Sequence, residues 1–194
     1  MNIARTTEPA AEPITLAEAK AHCRVIDFDD DDTYITGLIA VARLAIENMT
    51  GRTLIDTVYT QHVRTWQASI QIARGNARTV GSVKYDDLDG NEQTVDAADY
   101  GLVPYGDGAA TLAFFDTFTE PDLLDRPAID RIRIQFTAGY GATAAAVPET
   151  LRQAVLYLVA HYYDNRSPIG VNVNLNKLPL AVESLIAPYV IYLL

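Results

Sequence analysis

Between Asp27 and Asp32 five of six residues are aspartate, with Phe28 the exception. Clustered carboxylates are the ligands of hard cations such as calcium. A calcium loop that begins at Asp27 needs glycine where Asp32 stands and glutamate where Leu38 stands, and it has neither. Aspartates just ahead of a helix have a plainer job. One caps the unpaired backbone N–H groups, and the others favour the positive end of the dipole. The cluster is therefore read as a helix start with solvated charge, and no metal site is expected.

Other chemistry is equally sparse. His22, His62 and His161 fall on different elements, and none makes a His-Glu-x-x-His or Cys/His metal spacing. Nucleophile-elbow, phosphate-loop and dinucleotide glycine motifs are absent from the sequence, and "GYGAT" (139–143) reads as a flexible corner. Nothing selects a pair of carboxylates for glycoside hydrolysis. Cys23, the single cysteine, lies in a helical pattern as a small buried hydrophobe. It can form no internal disulfide, which fits a reducing compartment. Tyr157, Tyr162 and Tyr163 recur at helical spacing and read as packing rather than a binding face. No catalytic, cofactor-binding or metal-binding residue is assigned.

The chain end is the exception. After Pro188 comes "YVIYLL", β-prone and without a charged side chain. Exposed, it would invite aggregation, so it folds back or docks on a partner. Tyr189, Val190, Ile191, Tyr192, Leu193 and Leu194 are the candidate docking residues, with the loop Ile169–Asn176 second.

The elements around these residues follow from periodicity. Thr15 and Glu18 form a capping box ahead of a short helix that ends near Arg24. Ile35, Leu38, Ile39, Ala42, Ile46 and Met49 mark an amphipathic helix closed by Thr50-Gly51. From Asp56 to Phe136 the period becomes that of strands: "TVYTQHV", "ASIQI", "SVKY", "EQTV", "YGLVPY", "ATLAFF" and "IRIQF". Their turn signals, Asp89-Gly90-Asn91 and Gly106-Asp107-Gly108, suggest an antiparallel meander, with a loop over 116–130. Helical spacing returns after Pro148 with Leu151, Ala154, Val155, Leu158, Val159 and Tyr162 on one face. A last helix starts near Pro179 and stops at Pro188. The class expected is α+β: a bundle of about four helices with an antiparallel β-domain inserted. Residues 1–13 read as a flexible arm, 14–56 and 147–188 as the bundle, 57–146 as the β-domain, and 189–194 as a docking tail.

Composition narrows the partners. With 25 acidic and 15 basic residues among 194, the net charge is −10. Such a chain repels phosphate, which argues against direct DNA binding but not against proximity to DNA. The N-terminus lacks the apolar stretch of a signal peptide, and no run approaches the roughly 20 residues that span a membrane. A soluble protein made in a cytoplasm is expected.

Four blocks together, "ITLAEAKAHCRVIDFDDDDTYITGLIAVARLAIENMTGRTL", "IRIQFTAGYG", "VPETLRQAVLYLVAHYYDNR" and "LPLAVESLIAPY", resemble the head–tail connector (adaptor) proteins of long-tailed phages and related gene transfer agents. Only the N-terminal arm, the inner strands and "VIYLL" fall outside the resemblance. It implies a non-enzymatic virion protein without cofactors, assembled in the host cytoplasm. It also implies a twelve-fold ring of identical copies beneath the portal, continuing the DNA channel and offering a platform to the tail or a stopper protein. DNA would pass without specific binding. The competing readings are an enzyme of unknown class that uses the acidic residues, and a ligand-binding module built on the β-domain.

Overall fold

Thr15 opens the first helix. In the computed structural model, which describes residues 2–106, 108–124, 131–166 and 180–191, the Thr15 hydroxyl accepts from the Glu18 N–H at 3.2 Å. The Glu18 carboxylate accepts from the Thr15 N–H at 2.7 Å, completing the expected box. Helix α1 (Leu16–Cys23) ends at Arg24 in the left-handed conformation. Helix α2 (Asp32–Thr50) is closed by Gly51 at φ 70°, a geometry that glycine adopts without penalty. Helix α3 (Glu149–Asp164) starts one residue later than the sequence suggests, with Pro148 as the flanking residue. Helix α4 (Leu180–Ile186) runs into a short 3₁₀ turn, Ala187–Tyr189, that contains Pro188.

These helices form one unit, Ala10–Ile55 with Tyr140–Val190. Its core joins Ile35, Ile39 and Ile46 of α2 to Leu151, Val155 and Leu158 of α3 and to Val182 of α4. Each helix has one apolar stripe, and burying it requires the others. A buried ionic group reinforces the packing. Arg43 donates to Glu12 at 2.7 Å and to Glu47 at 3.3 Å, and Glu47 also accepts from the Leu54 N–H at 2.9 Å. Glu47 is 0% exposed, a burial that a carboxylate tolerates only when paired in this way. Residues 140–146, which the sequence reading counts with the strands, join the helical unit. Tyr140 packs on its core and donates its N–H to the Leu54 carbonyl at 3.1 Å.

The strands form a second unit, from the start of the chain to Pro9, Asp56–Gly139, and from Ile191. They are β1 (Asn2–Arg5), β2 (Thr57–Val63), β3 (Ser69–Gln71), β4 (Ala77–Asp86), β5 (Glu92–Thr94), β6 (Tyr100–Tyr105), β7 (Ala109–Phe114) and β8 (Ile132–Ala138). All pairings are antiparallel, so the class is α+β as expected. The meander is not found. A five-stranded sheet has the order β1-β2-β8-β4-β5, and a three-stranded one the order β3-β7-β6. Strand β8 sits between β2 and β4, and its alternate residues Ile132, Ile134 and Phe136 are fully buried on one face of the sheet. Trp66 meets Tyr85, Phe114 and Phe118 edge-on and donates its indole N–H to the Pro121 carbonyl at 2.9 Å.

One expectation needs correction here. The arm over residues 1–13 is not loose where it is described. Asn2–Arg5 pairs with β2 as an edge strand, and the Thr6 N–H donates to the Val58 carbonyl at 2.8 Å. Glu12 and Pro13 hold Arg43 and Arg152 respectively. The four residues Asn-Ile-Ala-Arg carry too short a pattern to mark a strand, although Ile3 packs on the sheet core and Arg5 lies over the Tyr59 ring. Within the "GYGAT" corner Gly139 itself is closely packed. Gly139 has φ 149°, and a Cβ there would lie 2.5 Å from the Asp56 nitrogen.

Candidate docking site

Three of the five aspartates of the opening cluster serve as ion-pair partners. Asp29 and Asp32 hold the buried Lys20 ammonium at 2.5 and 2.7 Å, and these bonds raise the Lys20 pKa above its ordinary value, Asp29 contributing most. Asp31 stands at the N-cap position yet makes no side-chain capping bond. Its carboxylate instead accepts from the Tyr163 hydroxyl at 2.7 Å and from the Arg166 guanidinium, chiefly the latter, and is held below the usual carboxylate range. The Arg166 guanidinium lies over the rings of Tyr34 and Tyr163, 4.7 and 4.6 Å from their centroids. This clasp fastens the end of α3 to the start of α2. Asp27 and Asp30 face solvent. Among the described residues, no group of three or more His, Cys, Asp or Glu could hold a metal ion.

The remaining candidates stay apart. His22 touches the Tyr157 ring edge-on, and His161 lies beside Tyr162. His62 is on β2, in the other unit. Cys23 packs half-buried against the helical core, where desolvation first and the Asp164 charge second raise its pKa. Tyr162 and Tyr163 pack on the same core, as their spacing predicts, while Tyr157 is partly exposed.

Of the tail residues, Tyr189 is fastened to the helical unit. Its carbonyl accepts from Arg52 Nε at 2.6 Å, and the same guanidinium lies 5.8 Å from its ring centroid. Val190 and Ile191 follow, half-buried. Tyr192, Leu193, Leu194 and the loop Ile169–Asn176 lie outside the described residues.

Periodicity found the buried face of α2 but passed over the opposite one. Tyr34, Gly37, Val41, Leu44 and Asn48 are exposed at three- and four-residue steps. Beyond Asp32, the only charges of the helix are Arg43 and Glu47, both buried. The missing charge was legible as a signal.

With this geometry in place, the comparisons are direct. Residues 13–96 match the family described as "Phage gp6-like head-tail connector protein". No curated protein matches the chain. Similar solved chains come from the "Neck of empty GTA particle computed with C6 symmetry", with TM-score 0.81 and 26% identity, covering 100% of this chain and 98% of that one. Another is from the "Virion of native gene transfer agent (GTA) particle", with TM-score 0.80 and 26% identity over the same shares. A third, from the "Neck of native GTA particle computed with C12 symmetry", has TM-score 0.74 and 25% identity, again covering 100% and 98%. The chain is thus similar to head–tail connector proteins in sequence across residues 13–96, and to neck proteins in fold across its whole length.

Proposed function

We propose that the chain, a protein of the head–tail connector type, is a structural and non-enzymatic component of a virion neck. Copies of it close into a ring, twelve-fold in the particle, beneath the portal at the capsid vertex. The ring continues the DNA channel and gives the tail or a stopper protein its platform. The observation that carries this reading is full-length similarity to a neck chain, at TM-score 0.81. Similarity to a chain of a neck with C12 symmetry supports the ring count. The net charge of −10 suits a channel wall along which DNA slides without adhering.

Attachment to the portal falls to the tail, Tyr189–Leu194. Tyr189 is anchored through Arg52, so the docking strand begins at Val190. Adding a strand to an exposed sheet edge of the portal covers its apolar side chains and satisfies its backbone. The loop Ile169–Asn176 is the second attachment candidate. Co-sedimentation with purified portal-bearing heads tests the reading. The chain is expected to pellet with such heads and to stay in the supernatant with heads that lack a portal. Equal recovery with both would refute it.

A further inference from the structure

Resting on the ring reading above, we infer that the outward face of α2 is the surface on which the next copy of this chain docks in the ring. A surface helix ordinarily turns charged residues to solvent opposite its core stripe. Helix α2 does the reverse. Its interior charges, Arg43 and Glu47, point inward, while Tyr34, Gly37, Val41, Leu44 and Asn48 point outward. Val41 is 51% and Leu44 38% exposed.

Gly37 sharpens the argument. Glycine within a helix is destabilising, and a packing constraint usually explains it. Here a Cβ would meet nothing within 4 Å. Among the described residues nothing requires the glycine. A surface approaching from outside does, because a missing side chain lets another backbone come close.

The occupant follows from charge and symmetry. Copies that each carry a net charge of −10 repel one another. They associate best through surfaces of low charge, and among the described residues the outward face of α2 meets one charge at its edge, the Arg166 guanidinium over Tyr34, which is already paired with Asp31. The similar neck chains stand in assemblies of C6 and C12 symmetry. In a ring of more than two copies each contact joins two different patches. The helical unit offers a second one. Leu16, Ala17, Ala21 and Ile26 line a groove of about 460 Å³ with Lys20 and Asp32. Ile26 is 65% exposed, and Phe28, 46% exposed, lines the adjoining hollow. Lys20, the cation of the groove, is already paired with Asp29 and Asp32, so covering it strands no charge. Val41 and Leu44 of one copy seat in this groove of the next.

Three variants test the inference: Val41→Glu, Phe28→Glu and Gly37→Gln. All three positions are exposed, so folding is expected to survive, and thermal melting checks that. Assembly is followed by mass photometry at the concentration where the wild type forms oligomers, and on portal-bearing heads. Val41→Glu and Phe28→Glu are each expected to remain monomeric. An equimolar mixture of the two is expected to give dimers and no rings, since each supplies the patch the other has lost. Gly37→Gln is expected to raise the melting temperature while weakening assembly at least tenfold, two effects of opposite sign that an intramolecular role cannot produce. Wild-type-like assembly by Val41→Glu and Gly37→Gln would overturn the inference and leave the ring reading standing. A mixture that stays monomeric would overturn the pairing of the two patches. A wild type that assembles neither in solution nor on heads would overturn the ring reading, and this inference with it.

Discussion

Glu18 serves two elements at once. Its carboxylate accepts from the backbone and hydroxyl of Thr15 at the start of α1 and from Arg152 of α3. The Thr15 backbone bond is the leading reason its pKa lies below the ordinary value of 4.5, and Arg152 adds to it. A carboxylate with a depressed folded pKa contributes stability above its unfolded value and loses it as pH falls through the folded one. Melting curves from neutral pH downward should show Glu18→Gln losing less stability than wild type below pH 4.5. An unchanged acid limb would mean that the box does not couple to folding. Glu47 is the harsher case. Replacing it with alanine removes the acceptor for the Leu54 N–H and one partner of the buried Arg43. Urea unfolding should register a loss of about 3–5 kcal/mol, the usual cost of breaking a buried pair. A loss under about 1 kcal/mol would show that Arg43 relaxes onto Glu12 alone. The Thr15–Glu18 box was legible because its members are three residues apart. The partners of Asp31 were not, since Tyr163 and Arg166 reach it from the far end of the chain, and an aspartate before a helix looks like a cap whatever else it holds.

At the scale of elements, the helices were the easier part to read. Leu151, Ala154, Val155, Leu158 and Val159 form the buried face of α3 that their spacing indicates. Leu158→Asp puts an unpaired charge among them and is expected to abolish the cooperative melting of the helical unit. A transition within a few degrees of wild type would mean that the buried face is misassigned. The strands from β2 onward were found one by one, but their order was not. A strand's own residues show which face is buried and not which neighbour lies along each edge, so β8 between β2 and β4 had no local signature. Strand β1 was missed because pairing with Thr60 and Tyr59 through the backbone needs no apolar pattern in Asn2–Arg5. For the tail, deletion of Val190–Leu194 leaves the Arg52–Tyr189 anchor in place. The truncated chain should melt close to wild type and fail to bind portal-bearing heads. Early melting with attachment intact would assign the tail to the fold and send the search for the portal contact elsewhere.

The whole molecule divides its two periodicities cleanly between a helical unit and a sheet unit, which is why an α+β class with the strands between helical segments could be read before any coordinates. What a single chain cannot display is the assembly, because a ring interface looks from within one copy like misplaced apolar surface. The outward face of α2 and the groove beside Ile26 are exposed apolar surfaces of the kind proposed above to meet in the ring. A cryo-EM reconstruction of portal-bearing heads incubated with the purified chain tests the central claim most directly. The account predicts a closed ring of this chain at the portal vertex alone, of C12 symmetry like the neck of a similar chain, with an open channel on its axis. Vertices left bare, or single copies bound without lateral contact, would contradict it.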